Sequence, residues 1–149
     1  MSATLHLATL EDLDRLEPMV AAFHSLEGID SDEENRRNTL ARLLEGTPHG
    51  VIYLIGMRRA PVGYIAISFG FSIESKGIVG FIDEFFIREN VRGRGMGTEV
   101  LASLSTALGQ NGIKALHLRI ERDNVRAQRM YARAGFRMRE GYCLMTKQH

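Results

Sequence analysis

The chain has 149 residues, of which 44% are hydrophobic and 25% are charged, and this composition predicts one domain, residues 1–149, around a single core. The formal net charge of +1 provides no broad field for nucleic acid or an anionic membrane, so we expect neither partner. The one cysteine excludes an internal disulfide and a cysteine metal cluster and fits a reducing compartment. No signal peptide or long apolar run is evident, so the expected location is the cytoplasm.

The N-terminal segment predicts a strand followed by a helix. Residues 3–8 alternate weakly between apolar and polar side chains, as a strand does. Thr9 and Asp12 have the spacing of a capping box, which opens a helix. Pro18 would disturb that helix from within, because it lacks an N–H group and crowds the preceding turn. We therefore expect a kink or a break near Glu17.

The middle of the chain predicts a second helix and then a sheet. After a polar stretch, the leucines between 40 and 44 indicate a short helix that ends near Gly46. From Gly50 the period changes to that of strands. Three neighbouring strands with short connections imply an antiparallel meander. Their predicted ranges are 51–58, 62–73 and 78–87.

A glycine-rich loop joins the third strand of this meander to an amphipathic helix. The apolar face of that helix comprises Val100, Leu101, Leu104, Ala107 and Leu108. Unpaired N–H groups and the positive end of the helix dipole meet at its N-terminus, where Gly93, Gly95 and Gly97 leave room for an anion. Arg92 and Arg94 add positive charge. The loop therefore predicts an anion-binding site, or else a tight turn without a ligand.

Three loop chemistries can be compared. A phosphate-binding P-loop needs Lys followed by Ser or Thr, but Thr98 and Glu99 follow Gly97. A dinucleotide fingerprint needs a third glycine where Thr98 stands, although Glu121 could serve as its ribose-binding acid, so a nucleotide-binding Rossmann-like domain remains the alternative. The third pattern is R-x-x-G-x-G, which begins at Arg92.

The third pattern resembles the coenzyme A pyrophosphate loop of the GCN5-related N-acetyltransferases, the GNAT family. A second motif, NVRAQRMYARAGF, follows the N-x-x-A-x-x-x-Y-x-x-x-G-F pattern of the same family. It comprises Asn124, Ala127, Tyr131 and Gly135. Alone, each motif also has a structural reading, in which Asn124 caps a helix and Tyr131 is a half-buried aromatic residue. The resemblance covers residues 60–147 closely and the first sixty residues only in their order of elements.

The resemblance implies a GNAT-like α/β fold with a mixed, mostly antiparallel sheet in the order β-α-α-β-β-β-α-β-α-β-β. A fifth strand over residues 113–120 and two short terminal strands around 136–139 and 142–146 complete that order. In the family, the sheet splays between the fourth and fifth strands and the pantetheine arm lies in the splay. Here those strands would be Gly80–Ile87 and Lys114–Glu121.

Acetyl transfer to an amine requires a base for the ammonium and an acid for the departing thiolate. Tyr131, with an ordinary pKa of about 10, would keep its proton at neutral pH and could donate it to sulfur. Asp83 and Glu84 are the candidate bases, and because adjacent strand residues point to opposite faces, at most one should look into the cleft. Resemblance to diamine and aminoglycoside acetyltransferases favours Asp83. The structural alternative is a salt bridge from this pair to Arg119.

By the same resemblance, the chain is an acetyl-CoA-dependent N-acetyltransferase that uses direct attack in a ternary complex and needs no metal. A non-catalytic acyl-CoA sensor is a further alternative. The acceptor would be a small-molecule or peptide amine, and homodimers are common among related enzymes. The residues expected to bind acetyl-CoA are Phe86, Ile87, Arg92, Gly93, Arg94, Gly95, Met96, Gly97, Thr98, Asn124, Ala127 and Tyr131.

Two further groups of side chains, one acidic and one of histidines, have the chemistry of a binding site. Five acidic residues between 27 and 34 border the acceptor side and could recruit a cationic amine, or they form a solvated loop. His24, His49 and His117 lack the spacing of metal ligands, and we interpret them as surface or core residues.

Overall fold

The computed structural model describes residues 4–149, and within them the chain forms four α-helices and one five-stranded sheet. The strands are β1 Leu5–Leu7, β2 Gly50–Met57, β3 Ala60–Ser72, β4 Gly77–Ile87 and β5 Leu116–Leu118. The helices are α1 Leu13–Leu26, α2 Glu33–Leu44, α3 Met96–Gln110 and α4 Val125–Arg133. Strands follow one another across the sheet in chain order. Each pair is antiparallel except the parallel pair β4–β5.

This arrangement confirms the predicted order of elements from β1 to α4, although the part of the first strand at residue 3 lies outside the described residues. A Rossmann-like domain needs a parallel sheet, so that alternative is wrong. The two predicted terminal strands, 136–139 and 142–146, are also wrong, because both segments are irregular and, apart from the half-buried Phe136, exposed. Strand β5 offers only three residues for pairing, and so short an edge gives the C-terminal segment little to pair with.

The predicted capping box opens a short 3₁₀ helix, Leu10–Asp12, with the Thr9 N–H donating to Asp12 Oδ2 at 2.8 Å, and α1 follows directly at Leu13. The break predicted near Glu17 does not occur, since α1 continues through Pro18 to Leu26. Pro18 removes one backbone hydrogen bond, to the carbonyl of Asp14, and that residue is exposed to water. Burial of Leu16, Met19 and Val20 against the sheet outweighs this loss.

Helix α2 begins earlier than the leucine pattern predicts. Asp32 caps it by accepting the Asn35 N–H on Oδ1 at 2.8 Å. Glu33 and Glu34 lie in its first turn, where the helix dipole favours negative charge. Asp32, Glu33 and Glu34, three of the five acidic residues between 27 and 34, therefore open a helix and do not belong to a solvated loop.

The two faces of the sheet are covered by different helices. On one face, α1 and α2 pack against a cluster that includes Leu54, Tyr64 and Phe86. On the opposite face, α3 packs against Ile65 and Ile67, with side chains of α4 at its border. None of these helices, within the described part of the chain, is long and apolar enough to span a membrane.

The sheet opens at a bulge in β4. Ala66 of β3 pairs with Glu84, whereas the next residue, Ile67, pairs with Ile82, so Asp83 is an extra residue on β4. Strand β5 pairs with β4 only up to Ile82, which is opposite Leu118. Beyond this point the pairing between β4 and β5 ends. The predicted splay between the fourth and fifth strands is thus confirmed, and β5 is shorter than the 113–120 predicted.

Candidate active site

The bulge directs the two neighbouring carboxylates to different surroundings. The Asp83 side chain is 58% exposed, and its Oδ1 lies 3.8 Å from Nη2 of Arg119. The Glu84 side chain is only 19% exposed and turns to the face covered by α1. The sequence-based expectation that these side chains diverge therefore holds, and the contact with Arg119 involves Asp83 alone.

The Glu84 carboxylate contacts one partner through each oxygen. Tyr64 donates its hydroxyl to Oε1 at 2.8 Å, and Nε2 of His24 lies 2.6 Å from Oε2. Burial, together with the charge of Glu84, raises the pKa of Tyr64 far above its ordinary value, so this phenol is a permanent donor. The rings of Phe23 and Phe86 flank Tyr64 at 6.3 and 6.0 Å. Glu84 is therefore held by hydrogen bonds at the border of an aromatic cluster.

His24 extends these contacts to the segment between α1 and α2. Its Nδ1 lies 2.8 Å from the Ser31 hydroxyl oxygen. Arg36 donates to both the hydroxyl and the carbonyl oxygen of Ser31 at 3.0 and 2.9 Å, and it also pairs with the buried Glu17 at 3.0 Å. No local sequence pattern indicates this cluster, because His24 and Glu84 are separated by 60 residues.

Tyr131 lies half-buried on α4 and is positioned by packing. Its ring makes an edge-to-face contact with Phe136 at 5.7 Å. Burial, with a smaller contribution from the charge of Glu27, raises the pKa of Tyr131 to about 12. Among the described residues, no side chain or backbone group hydrogen-bonds to its hydroxyl, which is not sealed from solvent. The phenol thus holds its proton at neutral pH and has it free to donate.

The glycine loop leaves an open helix N-terminus. Gly93 and Gly95 adopt φ of 81° and 77°, which favour glycine, and a side chain at either position would meet nothing within 4 Å. The first bond of α3 runs from the Glu99 N–H to the Gly95 carbonyl at 3.1 Å. The N–H groups of Met96, Gly97 and Thr98 precede it and have no acceptor within the helix. This set of donors fits an anion such as a pyrophosphate.

Gly97 has a second reason to be glycine. A Cβ at this position would lie 2.8 Å from Sδ of Met130 on α4. The expected reason, room for a ligand, is therefore joined by the close packing of α3 against α4.

The two loop arginines differ in their contacts. Arg92 folds back over the end of β4, where its Nε donates to the Ile87 carbonyl at 2.6 Å and its guanidinium lies 5.5 Å from the centre of the Phe86 ring. Arg94 is exposed. Both arginines precede α3 in the chain, and one is anchored to the end of β4 while the other is solvated.

The other predicted binding residues occupy the two sides of the splay. Arg88 donates its N–H to Val62 of β3 at 2.7 Å, and because backbone groups alternate along a strand, those of Ile87 point away from β3 and those of Phe86 toward it. Asn124 caps α4 by accepting the Ala127 N–H on Oδ1 at 3.2 Å. Because the Phe86 backbone groups point toward β3, they are not available to a ligand in the splay, contrary to the expectation for this residue.

A metal site is not evident in residues 4–149, where no group of three His, Cys, Asp or Glu side chains could hold an ion.

Comparison with known proteins identifies the family. The model of the acetyltransferase (GNAT) family matches residues 12–136. No curated protein matches the chain significantly.

Among solved structures, an integron cassette protein from the mobile metagenome of Cole Harbour Salt Marsh is 29% identical, with a TM-score of 0.82 over 97% of this chain and 89% of the other. A possible acetyltransferase from Clostridium difficile 630 is 16% identical, with a TM-score of 0.86 over 100% and 99%. An aminoglycoside acetyltransferase from an uncultured soil metagenomic sample, solved with sisomicin, is 12% identical, with a TM-score of 0.79 over 99% and 96%.

The family model covers most of the chain, and the solved structures share the fold over almost its whole length. The splayed sheet and the glycine loop before α3 agree with this match. The chain therefore belongs to the GNAT family and is an N-acetyltransferase.

Proposed function

We propose that residues 1–149 form a single-domain acetyl-CoA-dependent enzyme that transfers an acetyl group to a primary amine by direct attack in a ternary complex. The observation that carries this proposal is the separation of β4 from β5 beyond Ile82. The edge of β4 at residues 83–87 is left without a strand partner on that side. An edge of this kind offers unpaired backbone groups that a thioester and its pantetheine arm can use.

The glycine loop supports the choice of co-substrate. Coenzyme A carries a pyrophosphate, and the free N–H groups of Met96, Gly97 and Thr98 suit its charge. We propose that Arg92 and Arg94 add electrostatic attraction, and that Gly93 and Gly95 keep the approach clear. In this proposal the Ile87 N–H binds the pantetheine arm, because the Ile87 carbonyl already accepts from Arg92. Phe86, Asn124 and Ala127 shape the site through packing and the α4 cap.

The proposed chemistry begins with a proton transfer from the acceptor ammonium to Glu84. The neutral amine then attacks the thioester carbonyl carbon, and the carbon–sulfur bond breaks as the new carbon–nitrogen bond forms. Tyr131 donates its hydroxyl proton to the departing sulfur, and the nitrogen releases its second proton to solvent as the amide forms. Tyr131 then regains a proton from solvent, and Glu84 releases to solvent the proton that it took from the ammonium. Glu84 is the better base because Asp83 is exposed and faces a cation, Arg119.

The acceptor is proposed to be a cationic amine. Glu84 and Glu27 supply negative charge near the C-terminal end of α1, and Glu27 is close enough to affect the pKa of Tyr131. The fold neighbour crystallised with sisomicin makes aminoglycosides one class to test. Diamines and peptide N-termini carry the same charged group and are the other two.

The first prediction tests the reaction and its base together. Wild-type protein with acetyl-CoA should release free thiol in the presence of at least one amine from these three classes. Glu84→Gln should lower kcat by about 10²–10⁴-fold, the usual contribution of a positioned base, and the loss should shrink at high pH as the amine deprotonates in solution. Asp83→Asn, the matched control, should remain near the wild-type rate.

Both variants must melt and bind acetyl-CoA as the wild type does for this comparison to hold. A normal rate in Glu84→Gln with a slow Asp83→Asn would assign the base to Asp83. Binding of acetyl-CoA without turnover on any amine would favour the sensor module, and a rise in melting temperature with NAD but not acetyl-CoA would contradict the proposal altogether.

A cytoplasmic location, a homodimer and the absence of nucleic-acid and membrane partners stay predictions.

A further inference from the structure

A continuous chain of polar contacts runs from the proposed base to the segment between α1 and α2. It links Glu84 to His24, His24 to Ser31, and Ser31 to Arg36. We propose that His24 is a positioning residue, which holds the Glu84 carboxylate in the orientation that receives the proton of the acceptor amine. This inference rests on the proposed function, and its role for His24 goes beyond the family motifs.

The direction of the hydrogen bonds follows from the chemistry of the groups. At 2.6 Å, Nε2 of His24 and Oε2 of Glu84 must share a proton, because two lone pairs would repel each other at this distance. When Glu84 is ionised and ready to act as a base, the proton belongs to Nε2. The imidazole is therefore a donor to the carboxylate.

Ser31 and Arg36 fix the other side of the imidazole. Arg36 has only donors, so the Ser31 hydroxyl oxygen accepts from it at 3.0 Å. The hydroxyl hydrogen is then available to Nδ1 of His24, 2.8 Å away. Arg36 is itself held by the buried Glu17 at 3.0 Å. The imidazole is thus oriented by a chain of contacts that ends inside the protein.

The effect on Glu84 is geometric. Tyr64 occupies one carboxylate oxygen and His24 the other, which fixes the plane of the group. Each oxygen retains a further lone pair for a substrate proton. A base must be held within about 0.5 Å of its productive position. Removing one of two partners would free the carboxylate to rotate and would lower the rate more than the binding of either substrate.

The test compares two substitutions of the same histidine. The amide nitrogen of Gln reaches roughly as far as Nε2 of His and also donates, whereas Ala offers no donor. We expect His24→Ala to lower kcat by about 10–100-fold, the scale of one hydrogen bond to a charged group, with KM for acetyl-CoA unchanged. His24→Gln should restore most of this loss. His49→Gln, at an exposed histidine, is the control and should behave as wild type.

Two results would overturn the proposal: a wild-type kcat in a folded His24→Ala protein, or a His24→Gln protein as slow as His24→Ala. The second result would mean that the imidazole transfers a proton during the reaction, which Gln cannot do. Nuclear magnetic resonance of the histidine ring nitrogens gives a reading that needs no turnover. A protonated Nε2 in wild type supports the contact, and an Nε2 without a proton overturns it. If wild type acetylates no amine, the proposed function fails separately from this reading.

Discussion

At the residue scale, the proposed acid and base differ in what surrounds their oxygens. Glu84 accepts a hydrogen bond at one oxygen from Tyr64 and contacts His24 through the other, so neighbouring side chains hold both oxygens. Tyr131 has no such partner among the described residues, and burial raises its pKa to about 12. One group is thus placed to take a proton from the acceptor, and the other holds its proton at neutral pH until the thioester breaks.

A further prediction concerns the Tyr131 hydroxyl. Tyr131→Phe removes one oxygen and keeps the edge-to-face contact with Phe136. Because general acid catalysis contributes typically about 10²–10⁴-fold, kcat should fall by that order while acetyl-CoA affinity changes little. Steady-state kinetics and calorimetry measure the two quantities. Tyr142→Phe, at an exposed tyrosine, is the matched control.

An unchanged kcat in Tyr131→Phe, under conditions where chemistry limits the rate, would make the phenol structural. Water or another donor would then have to protonate the thiolate.

The candidate site was predictable where its residues are close in sequence. The glycine loop and the motif that contains Asn124, Ala127 and Tyr131 have spacings that a turn or a helix imposes. Each can therefore be recognised within one short segment of the sequence. The contact of Glu84 with His24 joins α1 to β4, and no local pattern encodes it. The bulge at Asp83 was missed for the same reason, since it is defined by the register with β3.

At the element scale, the contact between α3 and α4 combines packing with the proposed ligand site. Gly97 lies in the first turn of α3, and Met130 of α4 fills the space beside it. Helix α4 also carries Tyr131. The position of the proposed acid relative to the glycine loop therefore depends on how closely these two helices approach.

We expect Gly97→Val to lower the free energy of unfolding by about 1–3 kcal/mol, because the new side chain overlaps Met130 and overpacks the contact. The double variant with Met130→Ala should be more stable than the sum of the two single changes by about 0.5–3 kcal/mol, the range for residues in contact. Urea denaturation measures this coupling. Acetyl-CoA affinity should stay reduced in the double variant, because the valine still crowds the loop.

Additive losses of stability would show that Met130 does not contact position 97. Full recovery of acetyl-CoA affinity in the double variant would show that Gly97 acts only through packing against α4 and not by leaving room for the pyrophosphate in the glycine loop.

The elements were predicted well where apolar periodicity is strong, as in α3 and in strands β2 to β4. Prediction failed where a capping residue or the edge of the sheet determines the bounds of an element. Helix α2 begins just after Asp32, a polar cap that the leucine pattern does not include. The segment 136–146 has apolar residues at strand spacing, but its neighbour β5 provides too short an edge to pair with it.

At the scale of the whole molecule, the proposed site lies where the two covered faces of the sheet meet through the splay. Helix α1 brings His24 to Glu84 from one face, and α4 brings Tyr131 from the other. Opening of the sheet at the bulge gives both faces access to the same stretch of β4. In the proposed reaction, the acid and the base therefore have separate surroundings.

Attachment of α1 to the sheet depends on Asp12, which is fully buried. It accepts the Thr9 N–H at 2.8 Å and pairs with Arg15 at 3.1 Å and with Arg58, in the turn between β2 and β3, at 3.2 Å. Burial acts to raise the pKa of Asp12, but the hydrogen bonds from Thr9 and Arg58 outweigh it, so the pKa is lowered below 3.8. The native state therefore binds this proton less readily than the unfolded chain does.

Because the pKa is lowered, the stability that Asp12 contributes is present in full above pH 3.8 and is lost as the pH falls through the native pKa. We expect Asp12→Asn to lower the free energy of unfolding by about 1–3 kcal/mol at neutral pH, since it weakens the charge-assisted hydrogen bonds that the buried carboxylate accepts. The difference from wild type should narrow below pH 3.8. Asp14→Asn is the control, because that pair with Arg37 is exposed and should change stability by less than about 1 kcal/mol. Urea denaturation across the acid range measures both variants. A difference that stays constant with pH would mean that the Asp12 carboxylate acts through its shape and not through its charge.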